Sequence, residues 1–273
     1  MGLEFKKVAA SAPGKVILFG EHAVVYGVTA VAAALSDLRI FVELSATPED
    51  AIIVRLHDIV TSPDGDSFSH KLSLSRIRDL FEESSSPNAL TPVDPDESIL
   101  QKLRDEFKDA PLAASQGLMA IVYIITKVIP EFIWSAGKSL GGIQFDVRSK
   151  GLPIGAGLGS SAAFSVALAA AILRLRQQLY PFLLNEIEDE NKNIGSLAAE
   201  SLLRDGSIMS LGYSTPSSGS LNHSNSSKFP TLTSNLLNSI PVSLLPVING
   251  WAYAAEVVIH GSPSGLDNTT RYL

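Results

Sequence analysis

The chain contains no cysteine, so disulfides and thiolate metal sites are excluded. That composition suits a reducing compartment, and a cytoplasmic location is the expectation. Runs of lysine and arginine are also missing, and the net charge is −7 over 273 residues. Such a chain has no electrostatic footprint for nucleic acid. No apolar run reaches the roughly 20 residues that a membrane-spanning helix needs. Residues 117–130 are interrupted by Lys127 and end at Pro130, and residues 162–173 are too few, so both read as buried helices with no membrane partner. Lys6 and Lys7 are not followed at once by a long apolar stretch, so the start does not read as a signal peptide. No internal repeat is present. Apolar residues make up 45 % of the chain, enough for a sizeable core in one large domain or two small ones.

The most informative segment is Gly155-Ala-Gly-Leu-Gly-Ser-Ser161, which leads into an alanine- and leucine-rich run up to Leu173. Glycines at alternate positions permit positive φ and close approach to a ligand. The run after them reads as a helix, with Ser160 or Ser161 as its N-cap. Free amides and the positive dipole end at such a start suit a phosphate, most simply that of a nucleotide. The loop lacks the lysine of a Walker A motif, and Ser160 stands where a dinucleotide fingerprint has its last glycine. The bland alternative is a glycine turn ahead of a buried helix.

Around this loop the sequence predicts two short strands in residues 8–20, on either side of a turn at Pro13-Gly14, with further strands at 38–44 and 52–56. Residues 61–70 and 84–96, rich in Ser, Pro, Asp and Gly, read as loops. A polar helix runs from Asp96 to about residue 108, a more buried one covers 112–128, and alternation predicts a half-buried strand over 142–149. Leu168, Ile172, Leu175 and Leu179 form a helical stripe after the glycine loop, and helix returns at 194–203. Residues from about 206 to 240 turn to Ser, Asn, Thr, Pro and Gly and read as a disordered or extended surface insertion. Val247, Ile248, Trp251, Ala255 and Val258 mark a last amphipathic helix. This order of elements predicts an α+β domain and not an alternating α/β sheet.

Two more constellations stand out. In Ala12-Pro-Gly-Lys-Val-Ile-Leu-Phe-Gly-Glu-His22, Lys15, Ile17 and Phe19 share one strand face. Taken alone, Lys15 and Glu21 would be surface charges and His22 a structural or solvated histidine. Near the other end, Glu256 is followed by Val257, Val258 and Ile259, so its carboxylate sits beside apolar surface, where a lone charge is costly and a partner such as Mg²⁺ would relieve it. Gly261, Pro263 and Gly265 form a stiff loop leading to Asp267, which would also serve as the N-cap of a following helix. Together these parts meet the needs of phosphoryl transfer: a phosphate cradle, a hydroxyl and a carboxylate for a metal, a cation, and a carboxylate for the acceptor proton.

The segments at 12–27, 155–163, 248–256 and 260–268 together resemble the GHMP small-molecule kinases. Glu-His-Ala-Val-Val-Tyr-Gly and His-Gly-Ser-Pro-Ser-Gly-Leu-Asp-Asn are similar, more narrowly, to the mevalonate kinase branch. The resemblance spans residues 8–270 in order and implies the GHMP N-terminal fold (ribosomal protein S5 domain 2-like). It implies ATP as co-substrate, Mg²⁺, and phosphorylation of the primary hydroxyl of mevalonate in isoprenoid synthesis. It gives Asp267 the role of general base, Lys15 a place near the acceptor hydroxyl and the γ-phosphate, and Ser161 and Glu256 the role of metal ligands. Gly155, Ala156, Gly157, Leu158, Gly159, Ser160 and Ser161 become the phosphate cradle, and Glu21 and His22 join Asp267 at the acceptor pocket. A homodimer accords with the family habit. Lys150 stands where the family has a serine near the nucleotide, leaving Ser149 or the lysine itself to substitute. The family's second, ferredoxin-like domain carries a Gly-Ala-Gly-Gly-Gly-Gly motif that is not found here, so residues 1–273 are expected to form the N-terminal ATP-binding domain without it. Two other expectations follow: an inactive nucleotide-binding or dimerisation module, or a GHMP kinase for another small alcohol.

Overall fold

A computed structural model describes residues 5–20, 30–61, 65–81, 91–134, 141–180 and 244–261. The expected helix at 194–203, the Ser-rich stretch, Glu21, His22 and Asp267 lie outside the described residues. Five strands, β1 (Val8–Phe19), β2 (Val31–Thr47), β3 (Ala51–Val60), β4 (Ser67–Ser73) and β5 (Gly142–Lys150), form one sheet in the order β1-β2-β5-β3-β4. All neighbours are antiparallel except β3 and β5, which run parallel. The helices are α1 (Leu74–Leu80), α2 (Glu97–Glu106), α3 (Leu112–Val128), α4 (Pro130–Trp134), α5 (Ser160–Leu179) and α6 (Leu245–His260). The mixed sheet with its helices is the expected α+β architecture.

Alternation decides which sheet face meets the helices. Ile40, Val42 and Leu44 of β2 and Ile143, Phe145 and Val147 of β5 are buried, while Glu43, Gln144, Asp146 and Arg148 between them are more accessible. Helix α5 packs on β1 and β2, α3 packs on β3, and α6 packs on both α5 and α3. With the sheet on one side and α6 on another, α5 buries most of its circumference rather than the single stripe that its leucines predict. Its buried Arg176 is paired by Glu131, at 2.8 and 3.0 Å, and donates to the Val128 carbonyl at 2.6 Å.

Three expectations need correction. Residues 8–20 hold one continuous strand, not two. The irregularity at Pro13-Gly14 falls in its partner: Pro13 pairs with Arg39 and Gly14 with Leu35. A proline is tolerated on a strand at the end of the sheet, where not every amide is needed for the ladder. Gly14 marks a close approach and not a turn: a Cβ there would lie 2.5 Å from a Leu152 methyl, which would have to shift, and 3.2 Å from the Leu158 carbonyl oxygen. The second correction is β4, which occupies part of the predicted loop 61–70. Its Phe68 and Leu72 face inward among polar neighbours, and pairing with β3 outweighs its weak composition. The third is the cap of α5. Gly159, in the left-handed conformation (φ 68°), is the N-cap, so Ser160 and Ser161 are already helical. Asp96 does cap α2, accepting from the Ile99 amide at 2.9 Å, and α3 has the predicted bounds.

On the accessible sheet face, His57 Nε2 donates to Asp146 Oδ1 at 2.9 Å and Gln144 donates to Oδ2 at 2.7 Å. Burial by itself raises the Asp146 carboxyl. The hydrogen bonds from Gln144 and His57, with the charges of His57 and Arg55, outweigh it and hold the group below its usual value. A depressed carboxylate contributes stability above its unfolded pKa, near 3.9, and that contribution is lost as pH falls through the lower folded value. Denaturant titrations at pH 7 and pH 3 are expected to show Asp146→Asn less stable than the parent at pH 7, with the gap narrowing at pH 3. Trp251 of α6 is fully buried. Trp251→Ala is expected to cost about 3–5 kcal/mol in the same titration.

Candidate active site

The glycine loop is placed by two crossings. It leaves β5 through a turn in which the Ser149 hydroxyl donates to the Leu152 carbonyl at 2.6 Å and accepts from the Leu152 amide at 3.0 Å. It then passes over Gly14, and the Lys15 amide donates to the Leu158 carbonyl at 3.0 Å. The expected phosphate loop is therefore stitched to the strand carrying the expected catalytic lysine. Lys15 is only 7 % exposed, which removes the surface-charge alternative. Ser149 spends its hydroxyl inside the turn, and Lys150 is exposed at the end of β5.

Gly155 and Gly157 both have positive φ, at 75° and 74°, and a Cβ on either would meet nothing within 4 Å. They are glycines for backbone conformation, and the space beside them is open. Ala156 and both glycines are exposed, and Leu158, Gly159, Ser160 and Ser161 are half-buried. The Gly155 amide donates to the Ser160 hydroxyl at 3.3 Å. Among the described residues no side chain caps the start of α5, and a helix start of this kind favours negative charge.

On the other side of this helix start lies Glu256, in the last turn-and-a-half of α6 and only 4 % exposed. Ser161 donates to its Oε2 at 3.5 Å and Ser165 to its Oε1 at 2.9 Å, while His260 Nε2 stands 3.9 Å from Oε2. The two metal ligands implied by the resemblance, 95 positions apart in sequence, are thus neighbours in space. Two hard oxygen donors fit a Mg²⁺ ion, which takes one or two protein oxygens and completes its shell with phosphate and water. Among the described residues there is no group of three or more His, Cys, Asp or Glu able to hold a metal by themselves.

A cavity of about 120 Å³ opens beside Ser160 and Ser161. Its walls are mainly apolar: Ile40, Leu56, Ile59, Val147 and Phe164 from the sheet and α5, with Ala113, Gln116 and Gly117 at the start of α3. Gln116 donates to the Ile259 carbonyl at 3.1 Å, tying α3 to the end of α6 just before Gly261. Sequence reasoning passed over Ser165, Gln116 and the cavity wall. Each lies in a segment whose composition signals only core, and no local motif marks it. The sites of Lys15, Ser161, Glu256 and the loop are gathered within one region, whereas Glu21, His22 and Asp267 are not described.

Glu256 is a poor choice for stability alone, since a buried carboxylate keeps a desolvation cost even when hydrogen-bonded. Glu256→Gln, measured by thermal denaturation in the absence of divalent ions, is expected to leave stability unchanged or raise it by about 1 kcal/mol. A lowered midpoint would make Glu256 a structural residue.

Residues 121–198 match the family described as GHMP kinases N terminal domain. The chain is 32 % identical over 270 residues to a mevalonate kinase of Arabidopsis thaliana, covering 96 % of this chain and 54 % of that protein. It is 31 % identical over 258 residues to a mevalonate kinase of Mus musculus, covering 94 % and 50 %. The crystal structure of Methanococcus jannaschii mevalonate kinase aligns at 21 % identity with a TM-score of 0.47, covering 97 % of this chain and 51 % of that one. The chain spans about half the length of the curated relatives it matches. No helix among the described residues is long and apolar enough to cross a membrane. The glycine loop and the Ser161–Glu256 pair meet at one helix start, next to the strand that carries the buried Lys15, and the loop and Ser161 fall within the stretch that matches the GHMP kinases N terminal domain.

Proposed function

We propose that this chain forms the ATP-binding part of a mevalonate kinase, with residues 1–273 as a GHMP N-terminal domain and the Ser-rich stretch at about 206–240 as an insertion in it. The observation that carries the reading is the approach of Ser161 to Glu256 at 3.5 Å, beside an uncapped helix start and a loop hydrogen-bonded to Lys15. Named mevalonate kinases similar to nearly the whole of this chain support the choice of acceptor. A cytoplasmic location accords with the lack of cysteine.

In this reading the amides of residues 155–161 and the dipole of α5 hold the phosphates of ATP. The apolar cavity next to Ser160 suits the faces of a purine base. Ser161 and Glu256 hold Mg²⁺, which, when bound, neutralises charge on the phosphates. Lys15 stabilises charge on the transferred group and favours the alkoxide character of the acceptor oxygen. Asp267 accepts the proton of the primary hydroxyl as that oxygen bonds to the γ-phosphorus and the bond to the bridging oxygen breaks, with ADP as leaving group. Glu21 and His22 line the acceptor side.

The whole protein, given ATP, Mg²⁺ and mevalonate, is expected to form 5-phosphomevalonate and ADP. Asp267→Ala is expected to lower turnover by about 10²- to 10⁴-fold, with ATP affinity within twofold of the parent. Turnover that survives the substitution would remove Asp267 as the base. ATP binding by the parent without product would select the inactive nucleotide-binding module, and product from a different alcohol would select a sibling kinase.

A further inference from the structure

We infer that Ser165 is a positioning residue, whose buried hydroxyl fixes one oxygen of Glu256 so that the other is presented to Ser161 and the cation between them. The inference rests on the reading of Ser161 and Glu256 as metal ligands. Ser165 lies four residues after Ser161, about one helical turn, so both hydroxyls stand on the same face of α5, turned toward α6. Their surroundings differ. Ser161 is half-buried at the open end of the helix, and Ser165 is fully buried one turn further in.

The contacts of Ser161 and Ser165 with Glu256 are unequal. Ser165 to Oε1 is a good hydrogen bond at 2.9 Å, and Ser161 to Oε2 is a loose one at 3.5 Å. The terminal torsion of a glutamate is soft, so an unrestrained carboxylate would sweep a broad range of orientations. A firm bond to the inner oxygen removes that freedom. The outer oxygen then faces Ser161, the other residue assigned to the cation. A hydroxyl buried in an otherwise apolar stretch of α5 (Ala162, Ala163 and Phe164 before it, Val166, Ala167 and Leu168 after it) is hard to explain by packing, where alanine would serve. Outer partners of this kind typically carry about 10- to 100-fold in metal affinity or activity.

A role confined to satisfying a buried carboxylate would appear in stability alone, so the deciding measurement is metal binding. Mn²⁺ serves as the paramagnetic probe in an electron paramagnetic resonance titration of the whole chain with ATP, and ATP binding is measured separately in EDTA. All samples are held at one pH, because His260 stands near Oε2. Ser165→Ala is expected to weaken Mn²⁺ binding by about 10- to 100-fold while metal-free ATP affinity stays within twofold. Ser165→Thr, which keeps the hydroxyl, is expected to bind Mn²⁺ within about threefold of the parent, a margin small beside that loss. If Ser165→Ala shows no cooperative melt, Ser165→Cys replaces it, and its weaker donor is expected to give a smaller loss of the same kind. Unchanged Mn²⁺ affinity in the folded variant overturns the inference, as does an equal loss of metal-free ATP binding. A parent chain that binds ATP no better with Mn²⁺ than in EDTA overturns the metal-ligand reading itself, a failure visible without any variant.

Discussion

The site depends on one carboxylate kept out of water. Glu256 belongs to a helix otherwise buried through Ile248, Trp251, Ala255 and Val258, and its charge enters the same interface as those apolar groups. An interface of this kind tolerates a charge only when donors converge on it, and here they come from Ser161 and Ser165 on α5, with His260 close by. The packing of α6 against α5 therefore does two things at once. It closes the core over the sheet, and it brings a carboxylate to the helix start where the glycine loop ends.

A second constraint acts from the sheet. The loop crosses β1 closely at Gly14, where a Cβ would press on the Leu152 side chain and the Leu158 carbonyl oxygen, and a backbone hydrogen bond from Lys15 holds the crossing. Lysine and loop are thereby fixed relative to each other by main-chain atoms, without dependence on long side chains. Strand β1 on one side and the buried α5–α6 pair on the other flank the exposed glycines of the loop. That arrangement suits the polyphosphate site proposed above.

Much of this was readable from residue order. The α+β class, the bounds of α3, the Asp96 cap and the existence of the glycine loop all follow from periodicity and local chemistry. β4 was hidden because its composition is that of a loop, and only its partner β3 makes a strand of it. The apparent turn at Pro13-Gly14 misled because proline and glycine punctuate chains locally for several reasons, and here the reasons were an end-of-sheet strand and a close crossing. The capping serines misled in the same way. Either one has the chemistry of a cap, but the left-handed Gly159 takes that place and leaves both hydroxyls for other work.

By itself, then, residue order determined the local features: which stretches are helices, where the backbone must take positive φ, and which side chains carry charge into apolar surroundings. These are properties of a few neighbouring residues and need no partner. Only the tertiary structure decided that Lys15 is buried, that Ser161 meets Glu256 across 95 positions, and that Ser165 holds the far oxygen of the same carboxylate. Those facts arise from how α5 is enclosed between the sheet and α6, and the contacts that enclose it join segments far apart in the chain.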